Sequence, residues 1–241
     1  MVLTNFFKDK FDGKVIYRHE LKYQINLYQQ EVLKIKLPKI MSLDPHVSFG
    51  NQYKIRSLYF DDIYNTCYMD NENGTDPREK FRIRIYNGSD ERISLELKRK
   101  ESGKTLKQSC LLTPQTTRLL MSGGLLKWQS DMHPLLKKLY VLQQTKYMKP
   151  KIIVEYDRIP FVSDNNVRIT LDLNVKASSD IPKFLDKTIN GRPIMPIGAN
   201  LLEVKYNSFL PDAIYETIQM NNLSLTTYSK YYLCRKFGGL I

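Results

Sequence analysis

The chain has 241 residues, 42% of them hydrophobic, which suffices for one core in a single β-rich domain. Its 37 Lys and Arg outnumber 25 Asp and Glu, and the net charge of +12 calls for an anionic partner. No apolar run reaches the roughly 18 residues of a membrane-spanning helix, residues 1–13 lack the apolar stretch of a signal peptide, and Cys67, Cys110 and Cys234 are too scattered for a disulfide framework or zinc motif.

In chain order, residues 16–25 read as a strand, and Asn26 reads as the cap of a helix that runs to about Leu37 and stops at Pro38. Strands are expected near 53–60, 80–87, 92–100 and 105–112, with Asn87-Gly88 as the turn between the second and third of these. Thr113-Pro114 then has the form of an N-cap and first helical position, with Gly123-Gly124 as the stop, and a second helical segment covers about 131–144. Strands return near 150–159, 166–174 and 200–207, Leu185 to Asn200 reads as a loop, and Pro211 opens a short helix to about Met220. This order predicts a mainly β (α+β) fold: a closed antiparallel β-barrel of about eight strands with peripheral helices, one domain over 1–241 with its core at about 15–235.

The strands carry an unusual pattern. Phe81-Arg82-Ile83-Arg84-Ile85-Tyr86 places its arginines on one face and its aliphatic residues on the other, because side chains alternate along a strand. Val167-Arg168-Ile169-Thr170-Leu171-Asp172, Leu202-Glu203-Val204-Lys205-Tyr206, Glu20-Leu21-Lys22-Tyr23 and Leu95-Glu96-Leu97-Lys98 repeat the pattern. Many such strands in one sheet predict a charged interior, and confined like charges need a polyanionic ligand.

The known phosphate-cradling glycine loops and the G-x-S-x-G elbow are absent, and His19, His46 and His133 show no metal spacing. What remains is a set of cations suited to phosphate: Lys22, Arg82, Arg84, Lys98, Arg158, Arg168 and Lys205, with Lys104 and Lys107 just beyond. Glu20, Glu96, Asp172 and Glu203 share their faces. These carboxylates either hold Mg²⁺ or Mn²⁺ together with substrate phosphates or pair with neighbouring cations across the sheet.

The ordered set Glu20-x-Lys22-Tyr23, Ile55-Arg56-Ser57-Leu58-Tyr59-Phe60-Asp61-Asp62, Arg82-x-Arg84-x-Tyr86, Glu96-x-Lys98, Lys104-x-x-Lys107, Tyr156-x-Arg158, Arg168-x-Thr170-x-Asp172, Leu202-Glu203-Val204-Lys205 and Ser229-Lys230 resembles the VTC domain. That is the polyphosphate polymerase domain of the vacuolar transporter chaperone, within the triphosphate tunnel metalloenzyme (CYTH-like) superfamily. The resemblance implies a tunnel in which the γ-phosphate of ATP is transferred to inorganic polyphosphate with Mn²⁺ or Mg²⁺. It implies catalytic roles for Arg82, Arg84, Lys98, Arg158 and Lys230, and substrate binding by Lys22, Arg56, Lys104, Lys107, Tyr156, Arg168, Lys205 and Ser229. Glu203 is the implied main metal ligand, with Glu20, Glu96 and Asp172 as further candidates. The first strand departs from the E-x-E-x-K of the hydrolytic relatives, since Arg18 precedes Glu20-x-Lys22. The missing carboxylate favours polymerase over one alternative, a metal-dependent triphosphate or nucleoside triphosphate hydrolase, and the retention of Glu203 with all the basic positions speaks against the other, a non-catalytic polyphosphate-binding module. The 16 tyrosines follow packing patterns, so no specific nucleic-acid partner is expected. The expected location is the cytoplasm.

Overall fold

The structure, a computed structural model, describes residues 10–11, 14–15, 17–47, 50–221 and 223–238. A short pair, β1 (Lys10–Phe11) and β2 (Lys14–Val15), stands apart. The rest runs β3 (His19–Ile25), α1 (Leu27–Lys36), β4 (Ser42–Leu43), β5 (Tyr53–Asp61), α2 (Thr66–Glu72), β6 (Arg78–Tyr86), β7 (Ser89–Glu101) and β8 (Lys104–Leu112). It continues with α3 (Pro114–Met121), α4 (Pro134–Lys146), β9 (Lys149–Val162), β10 (Arg168–Ser178), β11 (Arg192–Pro193), β12 (Asn200–Tyr206), α5 (Asp212–Ile218) and α6 (Lys230–Phe237).

The eight expected strands form one antiparallel path, β3-β12-β10-β9-β5-β6-β7-β8, with β4 and β11 paired at its side. The local signals act as expected. Asn26 accepts from the Gln29 N–H at 2.8 Å while Gln29 Oε1 accepts from the Asn26 N–H, a reciprocal cap that satisfies two orphan donors of α1. Asn87 and Gly88 both adopt positive φ, 53° and 66°, as the two-residue turn between β6 and β7 requires. Helices α2 and α6 lie outside the expected elements, although Ser229 caps α6. They are only 7 and 8 residues long, and Asn65 before α2 makes no side-chain cap bond.

Closure differs from the expectation. The sheet curls into a half-barrel rather than a closed ladder, and among the described residues its edge strands β3 and β8 are linked by one isolated bridge, between Arg18 and Thr105. That bridge has two backbone hydrogen bonds of 2.9 Å. A ladder would need successive paired residues, and beyond this point Glu20 instead takes its contacts through its side chain, from Lys98 and from the Thr105 hydroxyl at 3.2 Å.

The outer face of the sheet carries the core. Leu58, Phe81, Ile83, Ile85, Leu95 and Leu97 pack with Leu120 of α3, Leu135 and Leu139 of α4, and Phe184. On the other flank Ile169, Leu171, Leu202 and Val204 pack with Leu33 of α1 and with Ile214 and Ile218 of α5. A third cluster lies inside the curl, where Tyr231 and Cys234 of α6 meet Tyr59, Val154 and Leu201. Helices cover the apolar outer face, so the alternate residues of each strand have only the interior to face.

Candidate functional site

The interior holds a cavity of about 380 Å³. Among the described residues its walls carry ten cations, Lys22, Arg78, Lys80, Arg82, Arg84, Lys98, Lys100, Arg158, Lys205 and Lys230, against two carboxylates, Glu20 and Glu203. A second cavity of about 90 Å³ shares Glu20, Arg82, Arg84, Lys98, Arg158 and Lys205, and adds Lys107 and Arg168. The four arginines Arg82, Arg84, Arg158 and Arg168 thus face one continuous space, as the period-2 pattern requires.

Each carboxylate of the interior is ion-paired. Glu20 reaches Lys98 at 2.5 Å, Lys205 at 3.6 Å and Lys22 at 3.8 Å. Glu203 reaches Lys230 at 2.7 Å, Lys205 at 3.0 Å, Arg158 at 3.5 Å and Lys22 at 4.0 Å. Burial opposes ionisation of both, yet Lys22, Lys98 and Lys205 around Glu20, and Lys205, Lys230 and Lys22 around Glu203, hold these carboxyls well below the usual range. Burial also pulls the Lys98 ammonium down to about 7 despite Glu20.

Glu96 and Asp172 are spent differently. Glu96 Oε2 accepts from Arg82 Nε at 2.8 Å and Nη2 at 2.6 Å, and its Oε1 lies 3.3 Å from Lys107. Asp172 takes a two-pronged contact from Arg158, Nε at 2.6 Å and Nη2 at 2.7 Å, and a further one from Lys230 at 2.6 Å. These forks fix the planes of the two guanidinium groups. Tyr156 lies buried between them and α6, its ring 5.3 Å from Arg158 and 4.8 Å from Lys230, and its hydroxyl 3.4 Å from Arg84.

Lys230 and Ser229 come to the cavity by one device. Ser229 caps α6, and the helix's first residue, Lys230, is then held between Asp172 and Glu203. Arg168 sits toward the far end, bound to Asp44 at 2.5 Å and to the Tyr53 hydroxyl at 2.9 Å.

Two expected binding residues are not brought in. Lys104 is exposed at the start of β8 and does not line the cavity. Arg56 points to the opposite face of β5, fully buried. There it pairs with Glu155 at 2.7 Å and donates to the carbonyls of Phe184, Asp186 and Lys187. Its parity explains this: Ser57 and Tyr59 face the arginines inside, bonding Arg84 at 3.2 Å and Arg82 at 2.9 Å, so Arg56 between Ile55 and Ser57 must face out. Arg56→Met should therefore lower stability by about 3 kcal/mol, because Glu155 and three carbonyls lose a buried partner. Tripolyphosphate affinity should stay unchanged. Chemical denaturation and calorimetry check the two halves, and a large loss of affinity in a folded variant would refute the assignment.

Lys80, Arg78 and Lys100 join the site although no motif includes them. Periodicity makes them legible, since Arg78 and Lys80 continue the parity of Arg82 and Arg84, and Lys100 continues that of Lys98.

The sequence model of the VTC domain family matches residues 17–237. No curated protein matches the chain significantly. Among solved structures the chain is similar to a putative adenylyl cyclase, HpAC1 from Hippeastrum, described as having a dominant triphosphatase activity. The identity is 14% and the TM-score 0.52, over 94% of this chain and 98% of that one. It is also similar to the PH1819 protein from Pyrococcus horikoshii OT3, at 15% identity and a TM-score of 0.47, over 91% and 99% of the two chains. Among the described residues, no helix is long and apolar enough to cross a membrane.

Proposed function

The chain belongs to the VTC domain family, and from that premise we propose that it transfers the γ-phosphate of ATP to a growing inorganic polyphosphate chain inside the charged cavity. The observation that carries this reading is the ten-to-two excess of cations over carboxylates on the walls of the cavity. Such a surplus fits a ligand with several negative charges in a row. Phosphoryl transfer needs in-line positioning and neutralisation of the equatorial oxygens more than covalent help from the protein. Arg82 and Arg158, whose planes are set by Glu96 and Asp172, are suited to grip phosphate oxygens in fixed directions. Arg84, Lys98, Lys22, Lys205 and Lys230 supply the remaining charge along the cavity walls.

A divalent cation fits only in partnership with substrate. Among the described residues no group of three His, Cys, Asp or Glu could hold a metal alone. Glu20 and Glu203 are the oxygen donors available, since both contact Lys22 and Lys205 and so lie close together. They would hold Mn²⁺ or Mg²⁺ with phosphate oxygens completing its shell. When bound, the ion supplies further charge neutralisation at the phosphates. Glu96 and Asp172, with their oxygens committed to arginines, act in this reading as positioning residues for Arg82 and Arg158.

Hydrolysis of inorganic triphosphate or of a nucleoside triphosphate is the second reading. It uses the same cavity with water as acceptor, and the Hippeastrum protein is described as having a dominant triphosphatase activity. Purified protein with ATP and Mn²⁺ separates the two. A polymerase yields ADP and a ladder of polyphosphate on a gel. Release of orthophosphate in step with ATP loss, with no ladder, would replace the first reading by the second. Absence of any turnover together with tight polyphosphate binding would leave a binding module.

A further inference from the structure

The inner cations of the cavity are matched by carboxylates, and those at one end are not. Arg78, Lys80 and Lys100 line the larger cavity but not the smaller one that adjoins it. Among the described residues none of the three forms an ion pair, in contrast to Lys22, Lys98, Lys205 and Lys230. The strand register makes this costly: Arg78 lies directly opposite Lys100, and Lys80 directly opposite Lys98. Like charges facing each other across a ladder destabilise a sheet unless something lies between them. Lys80 is nevertheless built in with care. Its ammonium donates to Asn71 Oδ1 at 2.9 Å and Ser229 Oγ at 3.0 Å, and it stands 5.4 Å from the Tyr231 ring centroid. Both acceptors are neutral, and one of the three ammonium protons is left over. Burial, with Arg78 and Lys22 adding to it, pulls this lysine down to about 7 against the opposing pull of Cys67 and Asp61.

We propose that Arg78, Lys80 and Lys100 form a separate collar that holds the portion of a linear polyphosphate extending beyond three phosphates. This rests on reading the cavity as a phosphate-chain site. The dimension supports it. Along β6 Arg78 lies four steps from Arg82 and six from Arg84, about 13 Å and about 20 Å at roughly 3.3 Å per residue, with Lys80 between. Three linked phosphates gripped at Arg82 and Arg84 fall short of Arg78 and of Lys100 opposite it, while Lys80, opposite Lys98, stands at the border between the two parts of the cavity. A longer chain fills the collar and quenches the facing charges. The collar thereby makes affinity depend on chain length.

The test is calorimetry with two probes, inorganic tripolyphosphate and a longer linear polyphosphate, on three proteins. These are the wild type, Lys80→Met, and the double variant Arg78→Ala/Lys100→Ala. The double variant alters only partly exposed positions near the strand ends, so it guards against misfolding of Lys80→Met. The wild type should bind the longer chain more tightly than tripolyphosphate. Each variant should lose at least about tenfold in affinity for the longer chain, the size of one charge-assisted hydrogen bond. Tripolyphosphate affinity of the double variant should stay within about twofold, and Lys80→Met should lose less for tripolyphosphate than for the longer chain. Equal losses for both probes, or no loss for either, would overturn the collar while leaving the cavity's role standing. A wild type that binds neither probe would overturn the phosphate reading itself, and the collar with it.

Discussion

Glu203→Gln is expected to lower metal-dependent turnover at least about 100-fold while leaving tripolyphosphate binding within a few-fold of wild type. The rate loss corresponds to about 3 kcal/mol at 1.4 kcal/mol per decade. The asymmetry follows from the surroundings of the carboxylate. Lys22, Lys205, Lys230 and Arg158 all approach it, so removing its charge leaves the cavity more positive and no less attractive to phosphate. What the substitution removes is an anionic oxygen pair that a hard divalent ion needs. The amide keeps the shape, and Asp172 still holds Lys230 at 2.6 Å, so the fold should survive. Activity measured across a Mn²⁺ titration, with binding by calorimetry, decides the matter. Wild-type activity with unchanged Mn²⁺ dependence would falsify the metal assignment. A loss of binding equal to the loss of rate would instead make Glu203 a structural partner of the lysines.

Arg82→Ala should weaken tripolyphosphate binding by at least about 1.5 kcal/mol, the lower end for a charged hydrogen bond. Its effect on stability should be small. The side chain is partly exposed to the cavity, and Glu96 keeps Lys107 at 3.3 Å and Arg84 at 3.8 Å after its removal. The like-charge crowding of the empty cavity also falls. Arg158 behaves otherwise, although the alternating pattern treats the two arginines alike. Its fork on Asp172 is buried, so Arg158→Ala strips a buried carboxylate of two contacts and should cost about 3 kcal/mol of stability. Arg82 is therefore the informative position for ligand affinity. Calorimetry on Arg82→Ala paired with thermal melting of both variants checks the contrast. Wild-type affinity in folded Arg82→Ala would remove it from the site.

The residues that can be read from the chain are those whose position follows from local periodicity. A strand has two faces, and Arg82, Arg84, Arg168, Lys205 and Glu203 alternate with apolar neighbours, so alternation alone implies their common face. The same holds for the cap at Asn26 and the turn at Asn87-Gly88, which act over a few bonds. Arg56 shows the limit of motif matching: it belongs to the motif, but its parity sends it outward to Glu155 and the Phe184 carbonyl. Lys80 shows the converse, since its parity points inward and no motif includes it.

Tertiary structure decided what depends on distant segments meeting. Whether a carboxylate binds a metal or fixes an arginine turns on strand register, and only the pairing of β10 with β9 sets Asp172 opposite Arg158. The arrival of Lys230 between Asp172 and Glu203 depends on docking α6 inside the curl, a contact made by residues far apart in the chain. The openness of the sheet has the same origin. Alternation fixes which way side chains point but says nothing of how many residues the first and last strands will pair. Among the described residues they pair at Arg18 and Thr105 alone, because closure is a property of the whole sheet's curl and stagger rather than of any one strand.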